Sequence, residues 1–287
     1  MTMPEQKLGN ESISPTAWTV AHQRSFTDIP YSQQIFEILG RLLSQEYVSI
    51  PDEFKSSQIA PQTEARYKLV DRLLREERVQ QVLEIASGFS PRGLQMTDDH
   101  SLIYVEVDLP KTLRQKIQIV EAIGSRENLH LIMGDVLDLG SLEEATRFLD
   151  PARKLGIVHE GLLRYLTFDQ KAQVANNIHS LLTKFRGVWI TPDITLKKVV
   201  QAENTVVEGN TDKVGKSIGI DIDRNRFDDI EHAQSFFEGL GFSVNKHNFM
   251  EVMDKLSSPK ELSQTRQQVE NLIGSAYVFV MRPKQNS

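Results

Sequence analysis

Apolar positions along this chain follow two alternating rhythms. Short apolar runs predict strands at Gln81–Ala86, Leu102–Asp108, His130–Met133, Gly156–Glu160, Val188–Pro192, Phe242–His247 and Ala276–Arg282. Stretches with a helical period fall between most of them, at Leu113–Ile123, Leu142–Phe148, Asp169–Lys184, Ile230–Leu240 and Ser263–Ile273. Three more amphipathic helices precede the first strand, at Thr16–Arg24, Tyr31–Gln45 and Thr63–Arg78. In the second of these, Ile35, Leu39 and Leu42 share one face. Strand and helix in regular alternation predict an α/β three-layer sandwich around a seven-stranded, mostly parallel, Rossmann-like sheet. The last helix–strand pair follows a glycine turn and is expected to add an antiparallel edge hairpin. The three leading helices are expected to cap the crevice.

Where the rhythm fails, the chain is polar. Residues 1–15 hold Pro4 and Pro15 without periodicity and read as disordered. Ile50–Pro61 is a break between helices, and about 195–229 is too polar for a core element and too long for a simple connection, so it reads as a lid. The organisation expected is one domain over 1–287, with a start and helical cap over 1–78 and the core over 79–287. At 39% hydrophobic and 25% charged residues the composition is that of a soluble globular protein. A net charge of −6 argues against a nucleic-acid binder. With no cysteine there is no thiolate nucleophile and no Cys-based zinc site. The polar start MTMPEQKLGNES lacks a signal-peptide core, and no apolar run approaches the ~20 residues of a membrane span. A cytoplasmic protein is expected.

The chemistry concentrates in VLEIASGFSPRG, an apolar run that stops at a loop of small residues. A buried parallel strand ending so opens into the crevice where α/β sheets bind ligands. A dinucleotide site needs G-x-G-x-x-G, but Ala86 holds the first glycine position and Pro91 stands where the helix would begin. A phosphate-binding loop is excluded too, because no Lys-Ser/Thr pair follows. Glu84 inside the strand is an odd charge unless it accepts hydrogen bonds there. Strand and loop together suit a zwitterionic ligand such as S-adenosylmethionine. Asp108, at the end of the second strand, is placed to accept from both hydroxyls of a ribose; its plain reading is a solvated acid capping the next helix. Asp135 follows the third strand and is placed for an adenine amino group, with Val136 offering its N–H; its plain reading is an N-cap. Glu160 ends the fourth strand. Four acids on consecutive strand ends predict an acidic rim that repels a pyrophosphate and attracts a sulfonium.

VLEIASGFSPRG, YVEVDLP, GDVLDL and HEGLLRYLT, in this order and spacing over about Gln81–Thr167, resemble the class I S-adenosylmethionine-dependent methyltransferases. Within them the resemblance is to the leucine carboxyl methyltransferase-like group, which includes O-methyltransferases of polyketide biosynthesis. APQTEARYKLVDRLL is similar to the group's helix before the first strand. The resemblance implies that Glu84, Ala86 and Gly88 line the methionine part of the donor. It implies further that Asp108 and Leu109 bind the ribose, Asp135 and Val136 the adenine, Glu160 the amino end and Arg66 the carboxylate. The sequence departs from the group at Ala86, which is expected to shift the loop slightly, and at Arg164, where an apolar residue is common.

The reaction expected is methyl transfer to an oxygen, with a carboxylate preferred, of a small molecule or a chain terminus. A carboxylate with a pKa of about 4 needs no base, whereas a phenol near 10 would use one, for which His159 and His232 are the candidates. For each, a structural or surface histidine is the plain alternative. Arg164 and Tyr165 are the acceptor-facing candidates, Arg164 pairing with an anion. No residues recur at metal-ligand spacing. Two rivals stay open: an NAD-dependent oxidoreductase on a similar sheet, and an inactive methyltransferase-like scaffold, for which the altered Ala86 loop speaks.

Overall fold

The computed structural model describes residues 15–45, 55–197 and 223–284. Its centre is a seven-stranded sheet in the order β3-β2-β1-β4-β5-β7-β6. The strands are β1 (Gln81–Ile85), β2 (Ile103–Asp108), β3 (Leu129–Met133), β4 (Leu155–Val158), β5 (Val188–Thr191), β6 (Phe242–Asn248) and β7 (Tyr277–Pro283). The first five run parallel, and β7 is antiparallel to β5 and β6. Every residue of β1, β4 and β5 is buried, as expected of central strands covered on both faces. From β1 the chain builds outward one way through β2 and β3, then returns to the other side at β4. That reversal opens a crevice at the carboxyl ends of β1 and β4.

The helices divide by face. On one lie α1 (Pro15–Arg24), α2 (Ser32–Gln45), α3 (Ala60–Glu76), α4 (Arg92–Met96) and α5 (Pro110–Ile123), with α9 (Ser258–Glu261) and α10 (Arg266–Ile273). Their core side chains include Leu39, Leu69, Leu74, Ile119 and Ile273. On the other lie α6 (Leu139–Ala145), α7 (Phe168–Phe185) and α8 (Ile230–Gly239), packed through Leu142, Ile178 and Phe237. Leu69 and Leu74 are at 0% exposure, and burial of such a side chain contributes about 1.5–3 kcal/mol. The three-layer α/β sandwich expected from the alternation is thus the observed architecture.

Differences from the sequence expectation have local causes. The antiparallel last strand expected is present, and β7 pairs with both β5 and β6, lying between them so that β6 takes the edge. The final helix begins at Arg266 and not at Ser263, because Ser263 takes a left-handed φ of 52° and Thr265 caps the helix through a box with Gln268. α4 has five residues, too few to show a period, and follows Pro91 directly. α3 is less a cap than a layer of the sandwich, packing against β5 and β7. α1 and α2 stack outside it, and α1 brings Arg24 to the crevice. The two ends of the segment read as a lid carry core residues, Leu196 and Phe227, which pair in a short parallel bridge. Lys197 N–H donates to the Phe227 carbonyl at 3.0 Å and Phe227 N–H to the Thr195 carbonyl at 3.1 Å. The remainder of that segment, 198–222, and the start read as disordered, 1–14, lie outside the described residues.

Candidate active site

The loop after β1 turns through Ala86 (φ 51°) and Gly88 (φ 52°), both left-handed. Ala86 therefore adopts the conformation a glycine would take, at a cost of about 1–2 kcal/mol for its Cβ. Gly88 N–H donates to Asp108 Oδ2 at 2.7 Å, and Leu109 N–H to Oδ1 at 2.7 Å. A carboxylate oxygen has two lone pairs, so both oxygens keep acceptor capacity. Burial pushes the Asp108 carboxyl up, against the pull of those two N–H groups. Behind the loop, Lys116 and Glu106 form a fully buried ion pair at 2.9 Å, and the Lys116 ammonium also donates to the Ser90 carbonyl. Gly93 makes room for this pair: a Cβ there would lie 2.2 Å from Glu106 Oε1.

Along the rim, Leu109 and Met133 are 54% and 45% exposed, the large hydrophobic side chains left open among the described residues. Met133 pairs with Asp108 in the β2–β3 register and Leu109 follows Asp108 in the chain, so both apolar residues neighbour it on the rim. Asp135 is exposed and accepts from Leu137 N–H at 2.9 Å. Val136 is buried, its carbonyl accepting from Asn177 at 3.1 Å. On the β4 side, Gly161 has a φ of 74°. A Cβ added at Gly88 or Gly161 would meet no atom within 4 Å, so both glycines border open space.

Beneath the crevice lies a buried charge network. The Arg92 guanidinium, fully buried, reaches Asp71 Oδ1 at 2.7 Å, Glu84 Oε1 at 2.8 Å and Glu160 Oε1 at 2.5 Å. It also stacks over the Tyr67 ring, 4.3 Å from the centroid. Glu84 Oε2 accepts from the Tyr104 hydroxyl at 2.8 Å, and Asp71 Oδ2 from Gln95 at 3.2 Å. Glu160 Oε2 meets Arg24 at 2.9 Å and Arg66 at 3.0 Å. Although burial alone would raise it, the guanidiniums of Arg92, Arg24 and Arg66 hold the Glu160 carboxyl down at about 2. The acidic rim expected from the sequence is therefore two different things. Asp108 and Asp135 accept backbone N–H groups, whereas Glu84 and Glu160 are matched by buried guanidiniums. Arg24, Asp71 and Arg92 escaped the sequence reading, because partners drawn from three elements leave no spacing signal.

The histidines separate. His159 is at 0% exposure, with Nδ1 3.4 Å from the Thr191 hydroxyl and Nε2 buried without a partner. Burial depresses it to about 3, against the pull of Glu160. The unfolded chain thus takes up a proton below pH 6.5 that the folded chain refuses until about pH 3, so stability falls as pH drops through that window. The slope from this one group approaches ~1.4 kcal/mol per pH unit. His159→Gln is expected to flatten the fall of the urea midpoint between about pH 6 and about pH 4; an unchanged profile would mean His159 is already charged when folded. His232 sits elsewhere, stacked on Phe168 and accepting from Asp228 N–H at 3.3 Å.

Asp193, two residues past β5, is a further buried acid that the sequence did not single out. It accepts from Leu163 N–H and so fixes the short 3-10 turn Leu163–Tyr165 that carries Arg164 and Tyr165. Burial raises its carboxyl, and the charge of the nearby Arg164 draws it down. Arg164 and Tyr165 are both half-buried. Arg164 is thus close enough to Asp193 for their charges to interact. No group of three His, Asp or Glu residues able to hold a metal occurs among the described residues.

Five parallel strands with an antiparallel seventh slotted beside the fifth, and a carboxylate at the tip of β2, define a class I methyltransferase sheet. The profile of the leucine carboxyl methyltransferase family matches residues 23–179. That is more than half of the sequence, and the chain belongs to the leucine carboxyl methyltransferase family. It is an S-adenosylmethionine-dependent methyltransferase, and the oxidoreductase alternative is not favoured. No curated protein matches the sequence. Among solved structures, an O-methyltransferase family protein from Burkholderia thailandensis is 14% identical, with 88% of this chain and 72% of that chain covered and a TM-score of 0.48. The magnesium protoporphyrin IX methyltransferase from Synechocystis, solved with bound SAH, is 10% identical, with 87% and 94% covered and a TM-score of 0.48. The crevice fits the cofactor in kind: a carboxylate with free acceptor capacity, two open apolar side chains beside it and two glycines bordering open space. No helix among the described residues is long and apolar enough to cross a membrane.

Proposed function

We propose that this enzyme methylates an oxygen, specifically a carboxylate, of a small molecule or chain terminus. The observation that carries this reading is the state of His159. His159, which precedes Glu160 in the chain, is sealed from solvent and depressed to about 3, so it is a poor base for a phenol or alcohol. A carboxylate with a pKa of about 4 is already ionised at neutral pH and needs none. Arg164, half-buried beside Asp193, is suited to pair with such an anion, with Tyr165 next to it on the same turn.

Bound S-adenosylmethionine supplies an electrophilic methyl on a sulfonium. The chain's own contribution is to orient and enclose. Alignment of this kind is worth about 7–11 kcal/mol of the barrier. In this reading Asp108 takes the ribose hydroxyls, and Leu109 and Met133 enclose the base while Asp135 and Val136 meet its polar edge. Ala86 and Gly88 border the methionine chain. Glu160 faces the ammonium and Arg66, joined by Arg24, the carboxylate. Glu84 contributes through Arg92, since both its oxygens are occupied by protein partners. A nucleic-acid acceptor has no support in a chain of net charge −6.

The test is incubation of cell extract with the enzyme and isotopically labelled S-adenosylmethionine, followed by mild base. Label released as methanol is the expected result, because esters hydrolyse. Label that survives base marks an ether or N-methyl product and overturns the carboxylate assignment.

A further inference from the structure

The donor reading assigns Glu160 to the ammonium of S-adenosylmethionine, and the inference here rests on that reading. A carboxylate can do this only if the correct oxygen is presented and the other is held. Glu160 lies past the end of β4, in a loop next to Gly161 with its free backbone, so its position is not set by the sheet. We infer that Arg92 is the positioning residue of the donor site, clamping Glu160 by one oxygen so that the other is left for exchange with ligand.

The geometry divides Glu160 in two. Oε1 is taken by Arg92 alone, at 2.5 Å, from a guanidinium that is itself immobilised. Its other two edges are fixed by Asp71 on α3 and Glu84 on β1, and its face by the Tyr67 ring. Oε2 is shared by Arg24 on α1 and Arg66 on the first turns of α3. Arg66 is 19% exposed, whereas Arg92 is at 0%. The exchangeable side of Glu160 is therefore the Oε2 side, where two guanidiniums stand that a ligand carboxylate can draw away while its ammonium takes their place. The three acids Asp71, Glu84 and Glu160 balance the three guanidiniums of Arg92, Arg24 and Arg66. An incoming zwitterion leaves that balance unchanged. Lysine cannot substitute for Arg92, because one ammonium does not present three donors in a rigid planar fork.

Two ligands separate positioning from general support. S-adenosylhomocysteine carries the amino-acid end, and 5′-methylthioadenosine has the same nucleoside and thioether without it. Calorimetric titration of Arg92→Lys is expected to show affinity for S-adenosylhomocysteine lowered about thirtyfold or more, with 5′-methylthioadenosine within about twofold of wild type. Equal loss for both ligands would make Arg92 a merely structural residue, and no loss for either would remove it from the site; each overturns the inference. Should Arg92→Lys not fold, the shape-conserving Asp71→Asn carries the same test from a residue remote from the ligand. Its expected loss is about fivefold for S-adenosylhomocysteine alone, and unchanged or equally lowered affinity for both ligands overturns the inference. Wild-type protein that binds neither ligand overturns the donor reading itself, and the positioning role with it.

Discussion

Asp108→Ala is expected to weaken S-adenosylhomocysteine binding by at least about tenfold while the protein stays folded. Each hydrogen bond between a neutral donor and a carboxylate contributes about 1.5–3 kcal/mol, and the proposed contact is with two ribose hydroxyls. The loss has a second component. Asp108 also accepts Gly88 N–H and Leu109 N–H, so the alanine variant releases both the glycine loop and the residue that covers the base. Asp108→Asn separates the two, because its remaining carbonyl oxygen still accepts from one N–H. Calorimetric titration of both variants is the measurement, with circular dichroism as the check on folding. Unchanged affinity in a folded Asp108→Ala protein would falsify the ribose assignment.

Glu160→Gln is expected to cost about 3–5 kcal/mol of stability, since removing one partner leaves buried charges uncompensated. Three guanidiniums converge on this carboxylate, two of them nearly or fully buried. The pH dependence has a definite sign. The folded value of about 2 lies below the ordinary 4.5, so the stabilisation is fully present above pH 4.5 and is lost as pH falls toward 2. His159 acts in the same direction at higher pH, and acid sensitivity should therefore begin near neutrality and steepen below pH 4.5. Urea unfolding at neutral pH compares the variant with wild type. A difference under about 1 kcal/mol would mean that the arginines find other partners.

Much of this was readable from the chain because the sheet is built from uninterrupted apolar runs. All seven strands begin, and six of them end, within a residue of where the pattern places them, and the acids at their tips stand out against that background. What the pattern hides is whatever depends on a partner from another element. Glu84 was visible as a misplaced charge, but the guanidinium that answers it is supplied by Arg92, eight residues on and across a turn. Asp71 is hidden within an ordinary helical stretch, and Arg24 lies 136 residues from the glutamate it meets. Met133 was masked for the opposite reason: inside an apolar run, nothing marks the one member left open to the crevice. The place of β7 was hidden too, because a glycine turn predicts an antiparallel strand without saying on which side of its neighbour it inserts.

The Arg92 cluster also bears on how such a chain can drift. Loss of the arginine strands two acids beneath the loop in addition to Glu160, and loss of either acid unbalances the arginine. Each intermediate is penalised, so Asp71, Glu84 and Arg92 behave as one heritable unit. Descendants are expected to keep all three or to exchange them together, while Leu109 and Met133, open on the rim, can be exchanged one at a time for other apolar side chains.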